Sequence, residues 1–391
     1  MKILYLTARQ PYPVVKGDQI IAYEQIRELS KNNEVYLVTY ADKDIEILKS
    51  EMNKYCKEIL ILNDNKFKSI LSMSKSFFNL NSIQANQFYR ISSKMKINKY
   101  FKKVCPEVVH VQSFRMAKYF MNYNGDKSID LIDAYSLNMY KRFKQEKTVI
   151  KWLWNIEYKL LLKYENQILK KYRNKTIVAQ RDKEYFKDDS IVVNPNGTSV
   201  NISEINKYIK TDGKSRDAII FQGNMSYFPN VEAVTYIKNF LWDKIKKKNN
   251  NAYIYIVGGK PSNQIKEINQ VDFKVTGYVK DMQEYLAKAY VAMYPIQSAT
   301  GMQNKVLEAM AAGVPTIISK ECLKGIPGLQ HNMNIIVAEH EDEYIEFYDK
   351  LINNEEYYLL IQSNALKFIE QNYTWEINVK KLINMWLERS K

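Results

Sequence analysis

The chain has 391 residues, long enough for two ordinary domains, with 46% apolar and 26% charged residues, a balance that folds rather than staying disordered. Three scattered cysteines and three histidines leave no basis for a disulfide framework or a zinc site, so a reducing compartment and no metal are expected. A net charge of +15 points to an acidic partner, whether nucleic acid, an anionic membrane surface or phosphorylated substrates, though no motif of a nucleic-acid binder accompanies it and such a binder would explain only the charge.

No charged-then-apolar leader stands before the first strand. No apolar run reaches the ~18 residues needed to span a bilayer. A cytoplasmic protein is therefore expected, at most peripheral at the inner face of the cell membrane. The frequent Lys, Asn, Ile and Tyr fit an AT-rich bacterial genome, which supplies part of the lysine excess.

In chain order, Ile3 to Thr7 reads as a strand. A loop through Pro11, Pro13 and Gly17 follows, then a helix near Ile20 to Lys31 and a strand from Glu34 to Thr39. This is a βαβ start, whose first loop lies where ligands sit in such sheets. Lys57 to Leu62 reads as another strand. From Asn65 to Lys103 the sequence has nine Lys and Arg and no Asp or Glu, with Phe67, Phe77, Phe78, Phe88, Tyr89, Tyr100 and Phe101 interleaved. That pattern suits an anionic membrane interface or a helical pair with a solvated basic face.

Glu107 to Ser113 and Ile129 to Ser136 read as buried strands with polar carboxyl ends, which places His110, Asp133 and Ser136 at a cleft edge. A lone His at a strand end also fits a packed, hydrogen-bonded residue. Thr176 to Ala179 and Ser190 to Val193 close the first half, and polar Asn201 to Ser215 reads as a linker.

The second half opens with Ala218 to Gly223 and a loop from Asn224 to Val231. The strand Ala252 to Val257 follows, then the short strand Phe273 to Thr276 and the turn Gly277 to Asp281. The organising block comes next: an apolar run from Tyr290 to Ile296, a glycine turn at Gly301, a helix with Val306, Leu307, Met310 and Ala311 at helical spacing, and a second apolar run from Val314 to Ile318. A glycine loop opening a helix at the carboxyl end of a parallel strand offers free N–H groups and the positive end of the helix dipole to an anion. Lys305 adds a full charge in the first turn, and Glu308 follows on the same face. Together they suit a phosphate and sugar hydroxyls. Taken alone, they also fit a solvated lysine and a helix-stabilising carboxylate. Thr374 to Ser390 reads as a final helix.

The block from Ala299 to Ile318 resembles the donor-site signature of family 4 glycosyltransferases, retaining enzymes with two Rossmann-like domains. Glu308 matches the second of that signature's two glutamates, and Thr300 stands at the place of the first. Pro13 to Asp18, the strands around His110 and Asp133, the helix with Trp154, Glu157, Tyr164 and Glu165, and Asn224 to Val231 resemble the exosortase-associated sugar transferases of extracellular-polysaccharide clusters. This sequence departs from that subgroup's pattern by carrying Ile21 where the pattern has an arginine, and from many family 4 members by carrying Asn224 near the place of an arginine that holds the diphosphate.

The resemblance implies an α/β fold of GT-B architecture, with two doubly wound Rossmann-like domains facing across a cleft. Residues 1–200 would form the acceptor domain and 216–373 the nucleotide-sugar domain, with helix 374–391 crossing back. Gly17, Gly223, Asn224, Tyr278, Val279, Gly301, Met302, Gln303, Asn304, Lys305 and Glu308 would hold the donor. The base would be read by backbone around Tyr278 and Val279, the diphosphate by Lys305 and the ribose by Glu308. His110, Asp133 and Ser136 would face the acceptor, and Asp133, Lys305 and Glu308 would carry the reaction. The implied activity is retaining transfer from a nucleotide sugar, with no cofactor and no metal, to a glycan, lipid-linked or protein acceptor. A sugar-nucleotide epimerase shares this fold, and Thr300, Asn224 and Ile21 are what a non-catalytic partner subunit would show.

Overall fold

Near-continuous apolar strands set the architecture, because a parallel strand covered by helices on both faces has no polar side to present. The computed structural model describes residues 1–63, 82–146, 148–200, 203–206, 216–298 and 302–388. It divides into one unit of Met1–Pro195 with Asn378–Lys391 and a second of Asn196–Ile377.

The first unit holds β1 (Lys2–Thr7), β2 (Glu34–Ala41), β3 (Cys56–Asn63), β4 (Val108–Gln112), β5 (Lys127–Asp130), β6 (Asn174–Ile177) and β7 (Ile191–Val193), in the order β3-β2-β1-β4-β5-β6-β7. All neighbouring pairs are parallel. The second unit repeats the plan with β8 (Ala218–Gln222), β9 (Tyr253–Val257), β10 (Phe273–Gly277), β11 (Ala289–Tyr294), β12 (Thr316–Ser319) and β13 (Ile336–Ala338), in the order β10-β9-β8-β11-β12-β13. In both sheets the chain builds outward from the first strand, then returns and builds the other way. This is the Rossmann-like winding, and it opens a crevice at the carboxyl ends of β1 and β4 and of β8 and β11.

Two readings of the sequence need correction, and a third falls mostly outside the described residues. The strand expected to run to Ser136 ends at Asp130. Oδ1 of Asp130 accepts the N–H of Ile132 at 3.0 Å, Ile132 takes a left-handed φ of 67°, and a helix begins at Tyr135. A β-branched residue rarely adopts that conformation, so the turn is held against local cost.

The basic stretch is also only partly as expected. Residues 65–81 of it lie outside the described residues. In the rest, Phe88 and Tyr100 are buried in the core, the Arg90 guanidinium lies over the Tyr40 ring at 4.9 Å, and Lys103 pairs with Glu58 at 2.7 Å. The aromatic residues of the helix Ile91–Val104 thus serve packing rather than a bilayer. Finally, of the expected linker only 203–206 are described, and there Ile205 is buried in the core of the second unit.

The helix Trp375–Glu388 closes the first unit. Val379, Leu382, Met385 and Trp386 pack into the cluster of Ile3, Tyr5, Ile26 and Leu37, and Trp386 Nε1 donates to Ser128 Oγ at 2.8 Å. Among the described residues no helix is long and apolar enough to cross a membrane.

Candidate functional site

In the second unit, β8 ends in Gln222 and Gly223, and the helix Asn304–Ala311 follows β11, its neighbour across the crevice. Four polar side chains converge there. Lys305 Nζ donates to Asn230 Oδ1 and sits 5.1 Å from the centre of the Phe221 ring. Asn230 Nδ2 donates to the backbone oxygen of Asn224 at 2.9 Å, and Gln222 Nε2 donates to Glu308 Oε2 at 2.7 Å.

Close approach dictates glycine at Gly223, where a Cβ would stand 2.7 Å from Asn230 Nδ2 and 3.2 Å from Lys305 Nζ. At Gly258, which closes β9, a Cβ would fall 1.7 Å from the Gly223 oxygen. The floor of the crevice is therefore bare backbone.

Burial disfavours charge on both ionisable groups. It brings the Lys305 ammonium down to about 8, against the opposing pull of Cys322 and Glu308. It pushes the Glu308 carboxyl up to about 7, against the Gln222 hydrogen bond and the Lys305 charge. An anion placed beside the ammonium would offset that burial cost and favour the charged form of Lys305. The far end of the helix is tied down by Arg216, which donates to the carbonyls of Ala312 at 2.7 Å and Gly313 at 2.6 Å.

Around this cluster Met302 and Val279 pack half-buried against the core, and Gln303 is buried as the residue before the helix. Tyr278 follows Gly277, whose φ is 72°, and leaves 81% of itself exposed, so a planar ligand could lie against its ring. The Asn224 side chain turns back onto Ser226, accepting from its N–H at 3.0 Å and its hydroxyl at 2.8 Å. Asn224 therefore offers its main-chain oxygen to the network and nothing cationic to a phosphate. Asn304 Oδ1 is buried without a hydrogen-bond partner among the described residues. Thr300 and Gly301 lie outside the described residues.

In the first unit the carboxyl edge of β4 and β5 carries a second group of charges. Asp133 is half-buried, and no described residue donates a hydrogen bond to its carboxylate. Burial first and Asp182 second push it up to about 6, while Arg181 and Arg115 pull the other way. Arg115 is buried between the rings of Phe114 at 4.9 Å and Tyr135 at 4.8 Å, and its Nε has no partner. Asp18, in the first turn of the helix Gly17–Leu29, pairs with Arg9 at 2.5 Å. Gly17 is exposed, and a Cβ there would meet nothing within 4 Å, so the turn itself does not require glycine.

Two residues expected on this wall are elsewhere. His110 is mid-strand in β4 and wholly buried. It touches Ser128 Oγ through Nδ1 at 2.8 Å and lies between the rings of Tyr5 at 4.8 Å and Trp386 at 5.6 Å, so no acceptor reaches it. Ser136 is also fully buried, and its hydroxyl donates to the Tyr185 hydroxyl at 3.1 Å. Its N–H and that of Tyr135 donate to the buried Glu165 carboxylate, which caps the helix Tyr135–Gln145. Glu157, on the same long helix as Glu165, caps Ile83–Asn86 in the same manner, accepting from Ser82 Oγ at 2.6 Å. Their partners are helix amides, which an acidic side chain stabilises.

Gln222, Asn230, Asp18, Arg115 and Asp182 were not singled out in the sequence. Gln222 has a signal, a polar residue closing the apolar run Ala-Ile-Ile-Phe. The others show none, since only chain crossing brings them to these edges. Among the described residues no group of three His, Cys, Asp or Glu is placed to hold a metal ion.

Residues 216–354 match a family model described as Glycosyl transferases group 1. No curated protein matches the sequence. Among solved structures, the Anabaena protein HepE in complex with UDP is 13% identical with a TM-score of 0.66, covering 99% of this chain and 100% of that one. A glycosyltransferase from Rickettsia africae is 15% identical, also at 0.66, covering 100% and 98%. Sucrose-phosphate synthase from Thermosynechococcus elongatus is 14% identical at 0.66, covering 99% and 98%. At these identities the likeness is one of fold, and the fold is GT-B: two Rossmann-like α/β units, as expected.

Proposed function

We propose that the protein is a glycosyltransferase taking a nucleotide-sugar donor, a UDP-sugar first among candidates, on its second unit. The observation that supports this most directly is the Lys305, Glu308, Gln222 and Asn230 cluster over a glycine floor, inside the segment that matches group 1 glycosyl transferases. Lys305 and the helix N-terminus would take the negative charge that grows on the leaving diphosphate. Glu308, oriented by Gln222, would accept from the ribose hydroxyls. Tyr278 and the backbone beside it would lie against the base. HepE is solved with UDP-glucose, which makes the same donor class the first to try.

Transfer with retention, without a metal, follows from the resemblance to family 4. Asp133, whose carboxylate accepts no hydrogen bond from a described residue at a strand-end crevice, is the group proposed to orient the acceptor or the reacting sugar. The acceptor is taken to be a glycan, a lipid-linked sugar or a protein of bacterial surface glycoconjugate synthesis.

The test is incubation with a panel of UDP-, GDP- and ADP-sugars, reading free nucleotide and the fate of the sugar by mass spectrometry. Donor-dependent nucleotide release with the sugar on an acceptor, or on water in its absence, is expected. Free epimerised sugar would make the protein an epimerase. Absence of binding to every donor would leave a partner subunit as the better account.

A further inference from the structure

The helices Tyr135–Gln145 and Lys151–Lys171 of the first unit form a hairpin whose tip is left exposed by the other described residues. Val149, Ile150, Trp152, Leu153, Ile156 and Tyr140 are exposed there, from 37% for Tyr140 to 84% for Val149. Trp152, Leu153 and Ile156 share one helix face by their spacing, and Val149 and Ile150 lead into it. Aromatic contacts lie beneath that face. Tyr140 packs against Tyr158 at 5.2 Å, Phe143 against Trp152 at 6.3 Å, and the Arg142 guanidinium lies over Trp154 at 3.8 Å. An apolar patch built this firmly and left in water marks an interaction surface.

Charge identifies its partner. From Ala134 to Lys163 the sequence has seven Lys and Arg against two Glu. Glu157 is buried as a helix cap. Lys159 and Lys163 continue the exposed stripe of Ile156, and Lys144 and Lys151 stand beside the rings of Tyr140 and Trp152. Protein interfaces are poor in lysine, which argues against a second copy of the chain. Nucleic acid would gain nothing from Val149, Ile150, Leu153 and Ile156, which cannot stack on bases. A sheet of anionic headgroups over acyl chains takes both components: aliphatic and tryptophan side chains enter, and lysine stems extend back to the phosphates.

We propose that the Tyr140–Ile156 tip docks the protein on an anionic membrane surface, with the apolar residues inserted and Lys144, Lys151, Lys159 and Lys163 among the headgroups. The binding is interfacial and reversible, and it does not depend on the transferase reading. It also moves the docking face away from the helix Ile91–Val104, whose aromatic residues are spent on the core.

The full chain is sedimented with vesicles of phosphatidylglycerol and phosphatidylcholine, or of phosphatidylcholine alone, at low and high salt. Wild-type protein is expected in the pellet only with the anionic vesicles, and to be released by salt. Each of Trp152→Ser, Leu153→Ser and Ile156→Ser should weaken binding roughly tenfold or more, since each removes a large apolar group from the inserted face. The melting curves of Leu153→Ser and Ile156→Ser should match wild type, the positions being exposed, whereas Trp152→Ser also loses the contact with Phe143. Lys144→Glu with Lys151→Glu should also weaken binding, whereas Lys96→Gln, Lys99→Gln and Lys102→Gln together should change it less than about twofold. The proposal is overturned if wild-type protein stays in the supernatant with anionic vesicles at low salt, or if the three serine variants bind as wild type. A concentration-dependent dimer in ultracentrifugation, dispersed by those same substitutions, would overturn it as well by giving the patch to a second copy.

Discussion

The Gln222 amide at the end of β8 donates to the Glu308 carboxylate on the helix after β11, at 2.7 Å, and so ties together the two strands between which the sheet reverses direction. The bond fixes the carboxylate's direction and leaves its protonation to burial. Folded Glu308 titrates at about 7, against an ordinary value of 4.5. Between those values the folded chain holds a proton that the unfolded chain has released. The stability due to this group is therefore full below about 4.5 and is lost as pH rises through about 7. Glu308→Gln should flatten the fall in melting temperature from pH 5 to 7.5 in the ligand-free protein, as read by calorimetry. An unchanged slope would mean the carboxylate is better solvated than its surroundings indicate.

Lys305 contributes the one lysine ammonium in the donor cluster. Lys305→Ala should weaken UDP binding at least tenfold, since a charge-assisted contact to phosphate is worth ~1.5–3 kcal/mol. Folding should be little affected, because the ammonium is penalised by burial in the free protein. Titration calorimetry at pH 7 measures this. The same instrument should show wild-type affinity falling as pH rises past about 8, where the free lysine loses its proton.

Asp133 differs from the acidic residues around it in accepting no hydrogen bond from a described residue. Asp133→Asn should lower turnover by roughly a hundredfold or more, in the range of a positioned acid, base or charge at a reacting centre. UDP affinity should stay within about twofold of wild type, since the nucleotide is assigned to the other unit. The wild-type rate should rise with pH through about 6 as the carboxylate ionises, and the variant should lose that inflection. A variant with full turnover would reduce Asp133 to a loop residue.

Arg216 closes the carboxyl end of the helix that carries Lys305 and Glu308. Arg216→Ala leaves the carbonyls of Ala312 and Gly313 without the guanidinium and removes a cation from the negative end of the dipole. A cost of about 1.5–3 kcal/mol is expected in urea unfolding of the second unit, with UDP affinity changing far less. Equal losses in both would mean that the helix end sets the geometry of the donor cluster directly.

His110 is enclosed, and burial lowers it from 6.5 to about 3. Between those values the unfolded chain takes up a proton that the folded chain refuses. Stability is therefore lost as pH falls from about 6.5 toward 3. His110→Gln should reduce that acid sensitivity in thermal melts between pH 6.5 and 4, although it melts lower at pH 7 because the packing with Tyr5 and Trp386 is gone. Unaltered acid sensitivity would remove His110 as its source, since the raised carboxyls of Asp130 and Glu165 take up protons in the folded chain and oppose acid unfolding.

The sequence by itself determined the winding. The runs Ile3 to Thr7, Ala218 to Phe221 and Tyr290 to Ile296 are too uniformly apolar for any strand but a parallel one covered on both faces, and glycine turns after them marked where a ligand could approach backbone. Lys305 in the first helical turn and Glu308 three residues on were legible through the resemblance of their block to a donor-site signature, since taken alone they fit a solvated lysine and a helix-stabilising carboxylate. Tertiary structure decided which polar side chains meet. Gln222 and Glu308 stand 86 residues apart, and Lys305 and Asn230 stand 75 apart. Nothing in the spacing of either pair records that β8 and β11 lie side by side. The same limit misplaced His110 and Ser136. Residues near a strand's carboxyl end look alike in sequence whether they turn to a crevice or into the core, and only packing against Trp386 or Tyr185, far along the chain, tells which way each one points.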